Sequence, residues 1–152
     1  MSPSPISRHV VSDRLAWVDR MLRDMRALPL DNRDAFLADR RNVWTAESCL
    51  RRALEAVLDL GRHILAKGFG LGVSEYKEIA ALLAERGVLG EEDARLLRVL
   101  AGYRNRLVHF HHEITPDELY DICARDLPDV QRVADAYRAW LAAHPELMGE
   151  GT

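Results

Sequence analysis

The sequence predicts an all-α protein, an up-down bundle of about five helices. No segment sustains the two-residue alternation of a half-buried strand, and alanine, leucine, arginine and glutamate dominate every long segment. Apolar residues recur instead at spacings of three and four, the period of an amphipathic helix. With 152 residues the chain has the size of one domain. We therefore expect a single helical domain over residues 1–152, with flexible termini at about 1–6 and 144–152.

The N-terminal half predicts two helices. A stripe of apolar residues at helical spacing indicates the first, over roughly residues 7–28, which Pro29 ends. From residue 31 to about 67, apolar residues repeat every seven positions without an interrupting proline, and Trp44 lies beside this repeat. The pattern predicts one long, continuous helix with a single apolar seam.

The glycine-rich stretch "GFGLGVS", residues 68–74, interrupts the helical pattern. It follows a helix rather than a strand and matches neither GxGxxG nor the P-loop, so it is typical of an interhelical loop rather than a nucleotide cradle. Ser74 is a candidate N-cap for a shorter helix that ends at Gly87.

The C-terminal half predicts a helix from about residue 91 to 109 and a further helical segment after it. The sequence "TPDE" at 115–118 combines a threonine N-cap with proline at the first helical position and an acidic residue at the third. Pro128 is expected to split this segment and to leave a last helix over roughly 128–143.

Composition narrows the classes of function. The chain is 48% hydrophobic and 30% charged, with 21 basic against 24 acidic residues, which is ordinary for a globular protein. Any binding of nucleic acid must therefore come from a local basic patch. Cys49 and Cys123 form no CxxC pair, and the N-terminus has no apolar signal segment. No run is long enough to span a membrane. We expect a cytoplasmic protein that does not bind membranes.

Two charged residues fall on apolar helix faces. Arg104 lies between Leu100 and Leu107 in the stripe of the predicted fourth helix, and Glu47 has a similar position in the long helix. An unpaired charge on a buried face costs several kcal/mol. A contact between Glu47 and Arg104 would satisfy both residues.

His109 lies on another face of the same predicted helix, about 140° from Arg104. Asn105, four residues earlier, is close enough to hydrogen-bond the imidazole and fix its tautomer. His109 and His112 could hold a metal together if the helix continued, but no HExxH motif is present, and we expect no metal site. A histidine near a helix end also commonly serves as a cap.

Arg104, Asn105 and His109 together read R-N-x-x-x-H, which resembles the R-x4-6-H motif of the HEPN superfamily of helical-bundle ribonucleases. The chain is most similar to its HepT-like toxin family. That likeness is carried by "LRRALEAVLDLGRHIL" at 50–65 and "LAGYRNRLVHFHHEI" at 100–114, followed by "ELYDI". It covers roughly residues 35–125, with the helices in the family's order.

The resemblance implies a HEPN-like homodimer in which the Arg–His motifs of two subunits meet across a cleft. It implies a metal-independent endoribonuclease without cofactor, the toxin of a toxin–antitoxin pair. In such a site His109 is the general base or acid, Arg104 clamps the RNA phosphate and Asn105 orients the site. Arg98 and Arg106 would contact the RNA backbone. The implied protein partner is a nucleotidyltransferase-type antitoxin.

One position departs from the family pattern. HepT-like proteins commonly continue as R-x4-H-x-Y, and their antitoxin modifies that tyrosine with AMP, whereas this chain has His111 there. His111, His112 and Glu47 are therefore candidates for supporting or regulatory roles. The alternative function is a catalytically inactive HEPN-like module that binds RNA, a nucleotide or a nucleotidyltransferase partner, and a purely structural helical dimer is a third interpretation.

Overall fold

A computed structural model describes residues 2–109 and 114–149. Seven α-helices form most of this part of the chain, which confirms the predicted all-α class. They are α1 (Arg8–Arg26), α2 (Arg33–Ala38), α3 (Arg40–Phe69), α4 (Tyr76–Glu85), α5 (Glu91–Val108), α6 (Pro116–Arg125) and α7 (Leu127–Ala143). In residues 2–109 and 114–149, no helix combines the length and the apolar content needed to cross a membrane.

The 30-residue helix α3 is the centre of the bundle and contacts each of the six other described helices. Its leucine, valine and isoleucine side chains at helical spacing are almost completely buried. Each such side chain stabilises the fold by roughly 1.5–3 kcal/mol when it leaves water. At Gly61 a β-carbon would lie 2.6 Å from the hydroxyl oxygen of Tyr137, so the missing side chain allows α7 to approach α3 closely.

The expected continuous helix over residues 31–67 is wrong at one place, because the chain breaks at Asp39. The backbone of Asp39 is extended (φ −122°, ψ 111°), and its carboxylate accepts a hydrogen bond from the Arg41 backbone N–H at 2.9 Å. Asp39 therefore caps α3 and separates it from the short helix α2. Trp44, expected beside the apolar seam, is 61% exposed.

The loop between α3 and α4 begins at Gly70, whose positive φ of 68° ends α3. The expected Ser74 cap is wrong: Glu75 is the N-cap of α4, and its side chain makes no capping hydrogen bond. The Ser74 carbonyl oxygen instead accepts a hydrogen bond from the Arg62 guanidinium at 3.2 Å. Gly87 has the positive φ expected of a residue that follows a helix.

The predicted start of α6 is confirmed. The Thr115 hydroxyl accepts a hydrogen bond from the Glu118 backbone N–H at 3.2 Å, and Pro116 is the first helical residue. The division of the C-terminal segment is also confirmed, since α6 and α7 meet at Asp126. The buried Asp126 carboxylate accepts a hydrogen bond from the Tyr103 hydroxyl at 2.8 Å, which joins α5 to this junction.

The described parts of the two termini pack against each other. Two residues near the N-terminus form β1 (Ile6–Ser7). This strand pairs in parallel with β2 (Met148–Gly149), which follows α7 and a short 3₁₀ turn. Ile6 is fully buried, and the Ser4 backbone N–H donates to the Lys67 carbonyl oxygen at the end of α3. These contacts stabilise both ends of the chain.

Candidate active site

Helix α5 presents its apolar stripe to α3, and Arg104 lies within that stripe as predicted. Leu100 and Leu96 are buried one and two turns before Arg104, while Leu107 is half-buried after it. The Arg104 side chain is 24% exposed to solvent, so it is mostly enclosed but still reaches solvent. A guanidinium in this position needs protein partners.

The guanidinium of Arg104 has three described neighbours. Its Nη2 donates to the Glu55 carboxylate at 3.2 Å, and its Nη1 donates to the Asn105 side-chain oxygen at 3.4 Å. Its Cζ lies 4.6 Å from the centre of the Tyr76 ring, within the range of a cation–π contact. The Nε of Arg104 is buried and has no hydrogen-bond acceptor among the described residues.

The expected contact between Glu47 and Arg104 is therefore wrong, since Glu55 is the partner. Glu55 lies about two helical turns further along α3, and its carboxylate also accepts a hydrogen bond from Arg51 at 2.7 Å. Both Glu55 and Arg104 are about one quarter exposed, which makes this a partly enclosed ion pair.

Tyr76 is the first residue of α4 and lies beside two guanidinium groups. The Arg62 and Arg104 Cζ atoms are both 4.6 Å from its ring centre. Its hydroxyl donates to the Asp59 carboxylate at 2.7 Å. Burial, with a further contribution from this hydrogen bond, raises the pKa of Tyr76 to about 12. The ring therefore stays neutral and electron-rich at physiological pH.

His109 follows the end of α5 and is exposed. Its backbone is extended (φ −75°, ψ 135°), so it no longer continues the helical path. The expected hydrogen bond between Asn105 and the His109 ring is wrong for this reason, and the Asn105 oxygen accepts from Arg104 instead. The imidazole is left accessible to a substrate.

The two other arginines of the motif region differ in environment. Arg98 is exposed on α5 and makes no ion pair with any described residue. Arg106 forms a two-pronged ion pair with Glu118 of α6, with N–O distances of 2.7 and 2.6 Å. This pair joins α5 to α6 and holds the pKa of Glu118 below its usual value.

Two neighbouring grooves lie along the N-terminal half of α3. One, of about 260 Å³, lies between α3 and α5 and is lined by Trp44, Glu47, Arg51 and Leu107 among others. The second, of about 550 Å³, shares Trp44 and Glu47 and extends towards the start of α6. Glu47 thus lines a groove and makes no ion pair with any described residue.

Within residues 2–109 and 114–149, no three histidine, cysteine or acidic side chains converge as metal ligands. The two cysteines are buried free thiols, and burial raises the pKa of Cys123 to about 12, which keeps that thiol protonated. Neither residue therefore has the features of a nucleophile.

The sequence matches the family described as ribonuclease HepT-like over residues 18–137, well over half of the chain. The chain belongs to the ribonuclease HepT-like family. One relative of this HepT-like chain is a tRNA nuclease HepT from Aphanizomenon flos-aquae (strain 2012/KM1/D3). The two are 25% identical over 112 residues, which cover 73% of this chain and 76% of that protein.

Solved structures show the same fold. A tri-AMPylated Shewanella oneidensis HEPN toxin in complex with MNT antitoxin has a TM-score of 0.77 at 20% identity, over 86% of this HepT-like chain and 97% of that one. YutE, a cytosolic protein of unknown function from Bacillus subtilis, has a TM-score of 0.75 at 19% identity, over 95% and 94% of the two chains.

The geometry of the HepT-like chain adds two residues to those expected from its motif. Glu55 and Tyr76 contact the Arg104 guanidinium directly, although neither was expected there. His111 and His112, the regulatory or supporting candidates, lie outside the described residues.

Proposed function

We propose that this chain is the toxin of a toxin–antitoxin pair and acts as a metal-independent endoribonuclease. Its composite site would combine Arg104 and His109 at a homodimer interface. The proposal rests on the different environments of the two motif side chains. Arg104 contacts Glu55 and Tyr76 while still reaching solvent, and the His109 imidazole is exposed at the end of the same helix.

These residue types suit cleavage of RNA by its own 2′-hydroxyl. His109 takes the proton from the 2′-hydroxyl, and the 2′-oxygen attacks the adjacent phosphorus as the bond to the 5′-oxygen breaks. An imidazolium donates the proton that the leaving 5′-oxygen needs. Arg104 stabilises the charge that develops on the phosphoryl oxygens. The products end in a 2′,3′-cyclic phosphate and a 5′-hydroxyl, and the nucleophile is internal, so no metal-bound water is required.

A second subunit is proposed because one chain separates the two side chains. No hydrogen bond joins Arg104 and His109 in the part of the chain that the structure describes, and His109 has left the helix that carries Arg104. Apolar surface is exposed close to the motif, with Val108 44% and Trp44 61% exposed. Such side chains near a polar site support a contact with another copy.

The relatives suggest which molecules to test first. One is named as a tRNA nuclease, and solved structures of the same fold are toxin–antitoxin complexes, so we propose tRNA as the substrate and a nucleotidyltransferase-type antitoxin as the partner. Because His111 replaces the usual tyrosine, the antitoxin would control this chain by binding or at another residue, rather than by adenylylation of a tyrosine at that position.

Arg104→Ala and His109→Ala test the proposed activity. Each is expected to lower the rate of tRNA cleavage by at least about 100-fold, since a general acid or base and a charge-stabilising donor each contribute that much. The assay is performed in EDTA, and 2′,3′-cyclic phosphate ends are identified by their resistance to phosphatase until mild acid opens the ring. Arg95→Ala, an exposed arginine of α5 that pairs with Glu92, is the matched control and is expected to retain the wild-type rate.

Cleavage by both motif variants at the wild-type rate would overturn the proposal. Tight binding of RNA by the wild type without turnover, weakened by Arg104→Ala, would identify the inactive binding module instead.

A further inference from the structure

Tyr76 is held in place from two sides. At the start of α4, its hydroxyl bonds to Asp59 at 2.7 Å, and the preceding loop is attached to α3 by the hydrogen bond from Arg62 to the Ser74 carbonyl oxygen. Val73 in the same loop is buried. The glycine-rich connection after α3 therefore returns the chain to the surface of that helix and fixes the ring beside Arg104.

The Arg104 guanidinium needs this ring because its hydrogen-bonding partners leave one group unsatisfied. Glu55 accepts from Nη2 and Asn105 from Nη1, but the buried Nε has no acceptor among the described residues. The Tyr76 ring centre lies 4.6 Å from Cζ, so the negative face of the ring can stabilise the cation in addition to the Glu55 carboxylate.

Glu55 alone does not fix the guanidinium. Its other carboxylate oxygen accepts a hydrogen bond from Arg51, so Glu55 is shared between two cations. The single hydrogen bond of 3.2 Å from Nη2 to Glu55 also allows the guanidinium to rotate about the end of the side chain. A flat ring against the guanidinium restricts this rotation.

We propose that Tyr76 is the positioning residue for Arg104, holding the guanidinium ready for an RNA phosphate by contact with its aromatic ring. This inference rests on the proposed ribonuclease function. This role requires no contact between Tyr76 and RNA or the reacting atoms. Its effect is exerted through Arg104, because a clamp that is already oriented loses less side-chain freedom when the charged transition state forms.

Two substitutions separate the effect of the Tyr76 ring from that of its hydroxyl. Tyr76→Leu removes the ring and is expected to lower the single-turnover rate of RNA cleavage by about 10–100-fold, with a smaller change in KM. Tyr76→Phe keeps the ring and loses only the bond to Asp59, so it should restore the rate to within about threefold of the wild type. If Tyr76→Leu does not fold, Tyr76→Met replaces it, because methionine has no ring and its longer, flexible side chain can fill the space differently.

Tyr120→Leu is the matched control for stability. The Tyr120 ring also lies beside a guanidinium, with the Arg33 Cζ at 4.7 Å, and its hydroxyl also donates to the protein, but it does not contact Arg104. A folded Tyr120→Leu protein is expected to cleave at the wild-type rate. A folded Tyr76→Leu protein that cleaves as fast as wild type would overturn the inference, as would an equal loss in Tyr76→Phe.

A second measurement does not depend on cleavage. The Arg104 Nε–H, buried in the wild type, should give a distinct and slowly exchanging NMR signal that Arg104→Lys removes. We expect the signal to persist in Tyr76→Phe and to broaden or exchange rapidly in the ring-less variant. An unchanged signal in the ring-less variant would refute positioning by the ring.

The two readouts distinguish the failure of each proposal. If Arg104→Ala cleaves RNA normally, or the wild type cleaves none, the ribonuclease proposal fails, and the NMR comparison still decides whether Tyr76 orients Arg104. If Arg104→Ala abolishes cleavage while Tyr76→Leu changes neither the rate nor the Nε–H signal, the ribonuclease proposal stands and the role of Tyr76 is refuted.

Discussion

At the scale of single residues, His63 shows how one uncharged side chain connects two helices. Its ring nitrogen Nε2 accepts a hydrogen bond from the Ser7 backbone N–H at 3.1 Å, at the start of α1. Burial first, and then the charges of Lys67 and Arg14, lower the pKa of His63 below its ordinary 6.5. Protonation of Nε2 would remove the acceptor and place a third positive charge beside the other two.

The depressed pKa of His63 fixes the sign of a pH dependence. Because the unfolded chain binds the proton more readily, the contribution of His63 to stability is fully present above pH 6.5 and is lost as the pH falls through the folded-state pKa. We expect the free energy of unfolding of the wild type to fall more steeply between pH 7 and pH 5 than that of His63→Gln, whose amide oxygen can still accept from Ser7.

Urea unfolding at a series of pH values measures this difference directly. Contributions from groups that the substitution leaves unchanged cancel when the two curves are subtracted. Parallel curves for the wild type and His63→Gln would show that His63 does not titrate differently on folding.

At the same scale, the motif residues could be predicted from the sequence, whereas their neighbours in the fold could not. The position of Arg104 in an apolar stripe follows from helical spacing alone, and that spacing also showed that the arginine needs a partner. Which acid of α3 serves depends on where α5 crosses that helix, and helical spacing does not determine a crossing point. Helical spacing favours Glu47, which falls among the apolar residues of the long helix, whereas Glu55 lies at the crossing.

At the scale of helices, sequence signals were reliable where they were local. The Thr115 cap and the positive φ of Gly87 follow from side-chain chemistry within a few residues. The break at Asp39 was missed because an apolar repeat continues through it, although an aspartate that can cap the following turn is present. The extended backbone of His109 was missed because helical spacing alone gives no end to α5.

The ion pair between Arg106 and Glu118, which joins α5 to α6, is expected to contribute to the free energy of unfolding. Arg106→Gln and Glu118→Gln, combined in a double-mutant cycle, are expected to give a coupling of about 0.5–1 kcal/mol, the upper range for a partly exposed pair with good geometry. Thermal or urea unfolding at low salt gives the four free energies. A coupling indistinguishable from zero would mean that the pair does not hold the two helices together.

The same pair bears on RNA binding. With both prongs of Arg106 occupied by Glu118, we expect the exposed Arg98 to contribute more to the affinity for RNA. Arg98→Gln should reduce the slope of log affinity against log salt by about one, the value for one lost phosphate contact, and Arg106→Gln should reduce it less.

At the scale of the whole molecule, the proposed homodimer would have a consequence that a site within one chain lacks. If each site combines Arg104 of one subunit with His109 of the other, a dimer of one Arg104→Ala chain and one His109→Ala chain keeps one complete site of its two. Random exchange makes half of the dimers mixed, so two inactive variants should together regain about a quarter of the wild-type activity. A site contained within one chain would regain none.

Mixing wild type with the double variant Arg104→Ala/His109→Ala supplies the converse test. In a shared site every mixed dimer lacks one group in each of its two sites, so an equal mixture should keep only the quarter of the activity that wild-type homodimers provide. A site within one chain would keep about half, because each wild-type chain remains complete. Activities are measured after subunit exchange, which labelled subunits verify. If the two motifs meet across an interface, the mixed single variants regain activity and the mixture of wild type with the double variant falls to a quarter. If the mixed single variants regain none and the second mixture keeps half, the whole site lies in one chain, which contradicts the composite site.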